Sequence, residues 1–218
     1  MSLRIYIYFI ALSTLLSLIV YARGKQQPAY LKLFPPYLFL TLLAEVWGTY
    51  LWSVGKSNVA LYNIFSTFEF CFYFWAISEM ISNKKVKRAI LFTIPAYCLI
   101  VTYNLMYGQK MIMFHTVTYS LGCLLIVICC IYYFFELFRV PKSLKLSRDP
   151  SFWICSGLLF FYCCGFPLYG LINFLFDISF LLLKNFDKVV TILNIFLYTL
   201  FSIGFLCIKT RKYTLSRS

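Results

Sequence analysis

Seven apolar runs, each long enough to cross a bilayer as a helix, follow one another at residues 3–22, 36–54, 59–81, 89–107, 112–138, 152–176 and 188–208. About 20 helical residues span the hydrocarbon core. In lipid every backbone amide needs a partner within its own segment, so an open-ended chain crosses as helices. The fold expected is all-α: a polytopic membrane protein, one seven-helix bundle over 1–218 with no soluble domain. Composition agrees. Of 218 residues, 62% are hydrophobic and 12% charged, whereas soluble domains carry roughly 25% charge.

The breaks carry turn or charge chemistry: Arg23 to Pro36, Gly55 to Asn58, Asn83 to Arg88, Gly108 to Lys110, Arg139 to Pro150 and Lys184 to Asp187. The net charge of +13 is read first as a topology signal and not as a nucleic-acid footprint. Fifteen Lys and Arg fall in the first, third and fifth connections and the tail, five on the opposite side. The positive-inside rule then puts the N-terminus outside and the C-terminus in the cytoplasm. Arg4 and Val20-Tyr21-Ala22 loosely suggest a secretory signal, but losing the first run would invert this charge pattern, so it is expected to stay as a helix. The run from Phe152 to Leu183 would measure about 48 Å as one helix. Pro167, near Gly165 and Gly170, is the expected break, and residues 178–184 the expected outer cap.

Nine cysteines lie in apolar stretches without a C-x-x-C pair, and His115 is the single histidine. Zinc and iron–sulfur sites and two-histidine haem lack ligands. No metal or cofactor is expected, and the thiols read as small buried side chains. His115 reads more readily as a satisfied residue near the outer end of the fifth helix than as a catalyst. No spacing marks a catalytic triad, so an enzyme ranks third among the readings.

Five of the seven acids lie near helix ends or at loop depth, with Lys84 and Arg139 available to pair with Glu79 and Glu136. The other two, Glu45 and Glu69, lie halfway along the second and third runs, on adjacent antiparallel helices. An ionised carboxylate at that depth costs several kcal/mol (about 3 on insertion scales) unless paired or hydrated. The two are therefore expected to face one another or a shared cavity, with one proton or a cation between them. Each belongs to a stripe: Thr41, Glu45, Gly48 and Trp52; Tyr62, Ser66, Glu69 and Tyr73. Further stripes are Thr93, Tyr97 and Asn104; His115, Thr118, Tyr119 and Gly122; and Thr191, Asn194, Tyr198 and Ser202. With Asn173 of the sixth run they predict a polar interior. For the Ser, Thr and Asn residues interhelical hydrogen bonding is the competing reading. Trp52, Tyr103, Tyr107, Tyr21, Tyr37, Tyr132, Tyr133 and Trp153 read as interfacial anchors.

A retinal protein would need a lysine in the middle of its last helix, whereas Lys188 and Lys209 sit at the ends of the seventh run. Sugar transporters of the three-plus-one-plus-three type share the topology, and Asn63-Ile64-Phe65 recurs as Asn194-Ile195-Phe196, but their internal prolines are missing from the first, second and fifth runs. Tyr62-Asn63-Ile64-Phe65 through Glu69-Phe70, and Asp149-Pro150-Ser151-Phe152-Trp153, resemble stretches of uncharacterised bacterial multispanning proteins, some similar to the membrane regions of sensor kinases. The resemblance implies a sensing module in the bacterial cytoplasmic (inner) membrane. It would bind a ligand or partner in its polar interior and signal through a partner protein or homo-oligomer, since the short tail cannot transmit alone. A small proton- or cation-coupled transporter or channel is the alternative. The basic cluster Lys84, Lys85, Lys87 and Arg88 is expected to meet anionic lipid or an acidic partner.

Overall fold

The computed structural model describes residues 4–23, 27–109, 111, 113–139, 146–170 and 180–214, with backbone alone for 23, 180–184 and 208–214. These residues form seven α-helices: α1 (Ile5–Arg23), α2 (Ala29–Ser53), α3 (Val59–Met80), α4 (Lys84–Tyr107), α5 (Thr116–Arg139), α6 (Pro150–Gly170) and α7 (Phe180–Thr214). A 3-10 turn, Leu146–Arg148, precedes α6. Six of the helices, all but α3, are long and apolar enough to cross a membrane. Large apolar side chains cover their outer surfaces, among them Leu15, Phe39, Leu43, Trp47, Phe92, Leu99, Ile128 and Ile131. So much exposed apolar surface suits lipid and not water. The chain is an integral membrane protein.

The helices close a ring. α1 packs between α2 and α7, α2 on α3, α3 on α5, α5 on α6, and α6 on α7; α4 lies outside the ring against α3 and α5. This placement explains α3, the one helix of the seven that, judged by length and apolarity, falls short of a membrane span. Its flanks are covered by α2, α4 and α5, so Asn63, Ser66 and Glu69 need not face lipid.

Aromatic rings fill the centre. Phe34 meets Phe72 at 5.2 Å and Phe201 and Phe205 at 5.5 Å, all near-perpendicular. Tyr37 stacks on Phe72 at 3.9 Å. Phe70 touches Tyr97, Tyr119 and Tyr162, joining α3 to α4, α5 and α6. Gly122 makes room for it, because a Cβ there would lie 2.8 Å from the Phe70 ring. Such pairs contribute about 0.5–1.5 kcal/mol each beyond area burial.

Several boundaries move from their sequence-based positions. α2 begins at Ala29 and runs through Pro35 and Pro36, where the sequence predicts a break. Each proline removes an i→i−4 bond, a cost of about 3 kcal/mol in an isolated helix. Burial of Tyr30, Leu31, Phe34 and Pro35 in the ring offsets it. α4 begins at Lys84, so the basic cluster lies on its first turns and not in a loop, with the Asn83 side chain accepting from the Lys85 amide at 3.0 Å. α6 continues through Pro167 to Gly170. α7 starts at Phe180, which puts Lys184 to Asp187 and most of the expected cap on helix. His115 precedes α5 instead of lying on it.

Pairings at the basic end differ too. Glu79 binds Lys87 Nζ at 2.8 Å, not Lys84. Glu136 accepts the Ser82 amide at 3.1 and 3.2 Å, while Arg139 lies over the Phe135 ring at 4.6 Å. The nine cysteines are free thiols; Cys163 is exposed and the others are buried or half-buried.

Candidate functional site

Glu69 lies at the middle of α3, whereas Glu45 does not lie at the middle of α2. Extending α2 back to Ala29 places Glu45 about two-thirds along it, and Tyr6, the second residue of α1, donates to Glu45 Oε2 at 2.7 Å. Glu45 therefore lies towards the Arg4 end of the bundle. The Tyr62 hydroxyl also donates to Glu45 Oε2, at 3.2 Å. Gly48, one turn beyond Glu45, leaves the space that Tyr62 occupies: a Cβ there would come within 2.5 Å of its hydroxyl oxygen.

Deeper in the bundle, Tyr37 of α2 donates to Glu69 Oε1 at 2.9 Å, and its oxygen is 2.7 Å from the Tyr73 hydroxyl. Three oxygens from α2 and α3 thus form a short chain ending on the carboxyl. No hydrogen bond joins the two acids. Each has its own tyrosines, which replaces the expected shared proton with two separately held carboxyls. The two remain electrostatic neighbours of one another and of Tyr169 of α6 and Tyr198 of α7.

Both residues are half-buried, with their carboxyl groups enclosed by neighbouring helices. Each commits one oxygen to phenols. Tyr73 is a second hydrogen-bonding neighbour of Glu69, and Glu45 Oε1 has no hydrogen-bond partner among the described residues. The Tyr162 hydroxyl, fully buried between Phe70 and Tyr73, also lacks one, and Glu69 is its strongest electrostatic neighbour. Arg4 binds Asp187 at 3.2 Å at the exposed Arg4 end, tying α1 to α7.

The other predicted polar residues divide by what their side chains touch. His115 is fully buried, with Nε2 2.8 Å from Ser66 Oγ and Nδ1 2.6 Å from Thr118 Oγ1. Asn63 accepts the His115 amide and donates to the Met113 carbonyl. Asn104 donates to Gln109, and Gln109 donates to Thr116. This network fastens the segment before α5 to α3 and α4, so His115 has no nitrogen free for a ligand.

Thr41, Asn194 and Ser202 bond to carbonyls four residues back on their own helices, and Thr93 three back, so these bonds do not join one helix to another. Asn63 and Asn194, the two members of the tripeptide echo, consequently do different work. Trp52, assigned to the Glu45 stripe, is exposed. Asn173 and Asp177 lie outside the described residues. Among the described residues no three His, Cys, Asp or Glu side chains group as a metal site.

Sequence reading missed Tyr37, Tyr6 and Tyr162. Expected as an interfacial anchor, Tyr37 is instead buried in the core against Glu69. Its spacing was visible, since Tyr37, Thr41, Glu45 and Gly48 share one helical face. Nothing local marks Tyr6 or Tyr162. Compared with protein-family models, curated proteins and solved structures, the chain matches none.

Proposed function

We propose that this membrane protein is a sensor or receptor that binds a polar ligand in the interior bordered by Glu45 and Glu69 and passes the change to a partner protein or a second copy of itself. The observation that carries the reading is the state of the two acids. Each is enclosed among the helices and held by tyrosines from a neighbouring helix. Holding a carboxylate inside a membrane is costly. A tyrosine-anchored acid is organised for binding, because its orientation is fixed before the ligand arrives.

A small proton- or cation-coupled transporter is the second reading. It is favoured by one observation, the placement of the acids at successive depths from the Arg4 end. Uptake or current in liposomes containing the protein, with Glu45→Gln and Glu69→Gln as controls, separates the two. Flux that both substitutions abolish supports transport. Ligand or partner binding without flux supports the sensor.

The orientation that goes with this proposal has the Lys84–Arg88 end in the cytoplasm of a bacterial cell, against anionic lipid. Support comes from the bias of 15 basic residues to that side. Of the cluster, Lys87 already binds Glu79, which leaves Lys84, Lys85 and Arg88 for headgroups or an acidic partner.

A further inference from the structure

Cys71 of α3 and Cys98 of α4 form a pair that the reading of Glu45 and Glu69 does not use. Their sulfur atoms lie 3.5 Å apart, in contact and unbonded. Each cysteine is near the middle of its helix, Val59–Met80 or Lys84–Tyr107, so the pair sits far from either end of the bundle.

Both thiols are half-buried and line a groove of about 350 Å³ between α3 and α4, a volume in the range of small-molecule sites. Ile64 and Phe68 on its α3 wall and Thr102 on its α4 wall are exposed, so the groove opens on the outer apolar surface and not on the interior. The hydroxyls in it are already engaged: Thr67 donates to the Asn63 carbonyl and Thr102 to the Cys98 carbonyl, each at 2.8 Å. The two thiols are the redox-active groups of the groove.

A reactant that reaches them comes through lipid, so it is apolar and uncharged. Two thiols in contact together donate two electrons and two protons. The matching lipid-soluble acceptor is a quinone. Two S–H bonds break and one S–S bond forms, while both quinone C=O groups become C–OH, so the products are a disulfide and a hydroquinone. Protons travel with the electrons, and no net charge is left where an unpaired ion would be costly. A disulfide holds its sulfurs about 2.05 Å apart, a short approach from the observed contact. α4 lies outside the ring against α3 and α5, and its adjustment leaves the ring closed.

We propose that Cys71 and Cys98 are a redox dithiol, oxidised to a disulfide by a lipid-soluble quinone that enters the α3–α4 groove from the bilayer, and that the disulfide ties α4 to α3.

Reduced full-length protein in liposomes would be mixed, without oxygen, with decylubiquinone, whose fully substituted ring disfavours a thiol adduct. Ferricyanide serves as a charged oxidant and hydrogen peroxide as a small uncharged one. Peptide mapping without reduction reads the Cys71–Cys98 link, and absorbance reads the hydroquinone. One hydroquinone should form per disulfide, at least about tenfold faster than ferricyanide makes the link. Cys71→Ser and Cys98→Ser should each abolish both products. Thr102→Trp and Ile64→Trp fill the groove from opposite walls without touching the thiols. Each should slow the quinone reaction about tenfold, equivalent to about 1.4 kcal/mol, and leave the peroxide link in place.

A link made by peroxide but not by decylubiquinone overturns the quinone assignment. So does an unchanged quinone rate in both folded tryptophan variants, or ferricyanide that acts as fast as the quinone. If none of the three oxidants links the pair in folded protein, the redox dithiol itself falls.

Discussion

Gly48 and Tyr62 are fitted to one another across the α2–α3 seam: the space where a Cβ would stand on Gly48 is taken by the Tyr62 phenol, whose hydroxyl then reaches Glu45 at 3.2 Å. The neighbouring atoms are the hydroxyl and ring carbons of a side chain already held at its tip. A methyl group at position 48 has no free volume to enter. Gly48→Ala should destabilise the protein by about 1–3 kcal/mol, the usual cost of overpacking. The penalty should be smaller in a Tyr62→Leu background. Thermal unfolding of the two single variants and the double variant in detergent measures the coupling.

Tyr6 carries the link from α1 to Glu45. Tyr6→Phe deletes one hydrogen bond while keeping the ring and should cost about 0.6–1.7 kcal/mol, the range measured for side-chain bonds between membrane helices. Tyr8, exposed on the same helix, should tolerate the same change without a shift in thermal midpoint. Equal effects at both positions would contradict the placement of Tyr6 against Glu45.

His115 is a fastener. His115→Ala breaks its bonds to Ser66 and Thr118 and leaves those hydroxyls to be satisfied elsewhere, so a loss of about 1–3 kcal/mol is expected. Ligand affinity, measured below the lowered midpoint, should stay within about threefold of the parent, since His115 has no free ring nitrogen. A selective loss of binding without a loss of stability would return His115 to the site.

At the basic end Lys87→Ala should cost up to about 1 kcal/mol, in keeping with a partly exposed ion pair. Added salt should shrink the difference. Lys84→Ala should leave stability unchanged. Chemical denaturation at low and high salt distinguishes the two lysines, which sequence position alone had ranked the other way.

Cys71 of α3 and Cys98 of α4 hold their sulfur atoms 3.5 Å apart. Mild oxidation in the membrane should therefore link them in preference to Cys123, which is fully buried in the α5 core with no sulfur in hydrogen-bond contact among the described residues. Peptide mapping without reduction would detect the product. Failure to link Cys71 with Cys98 would argue against the packing of α4 on α3.

Apolar run length by itself determined that this chain enters a membrane as helices, because lipid offers no partner for a bare amide. It also marked Glu45 and Glu69, since an acid in such a run stands out at any register, and the stripe through Tyr62, Ser66, Glu69 and Tyr73 located the face that turns inward. Tertiary structure alone decided what those acids touch. The helix of Tyr6 lies 39 residues from Glu45 in sequence and becomes its neighbour only when α1 packs on α2. The same holds for Tyr162, brought against Phe70 and Tyr73 by closure of the ring, and for Pro35 and Pro36, whose local preference for a break yields to the burial of Tyr30 and Phe34 around them. Hydrophobic run length is a property of each segment alone. Hydrogen-bond partnership and depth in the bundle are set by how segments pack, and α2 had to gain its first seven residues from those contacts before Glu45 could lie level with the start of α1.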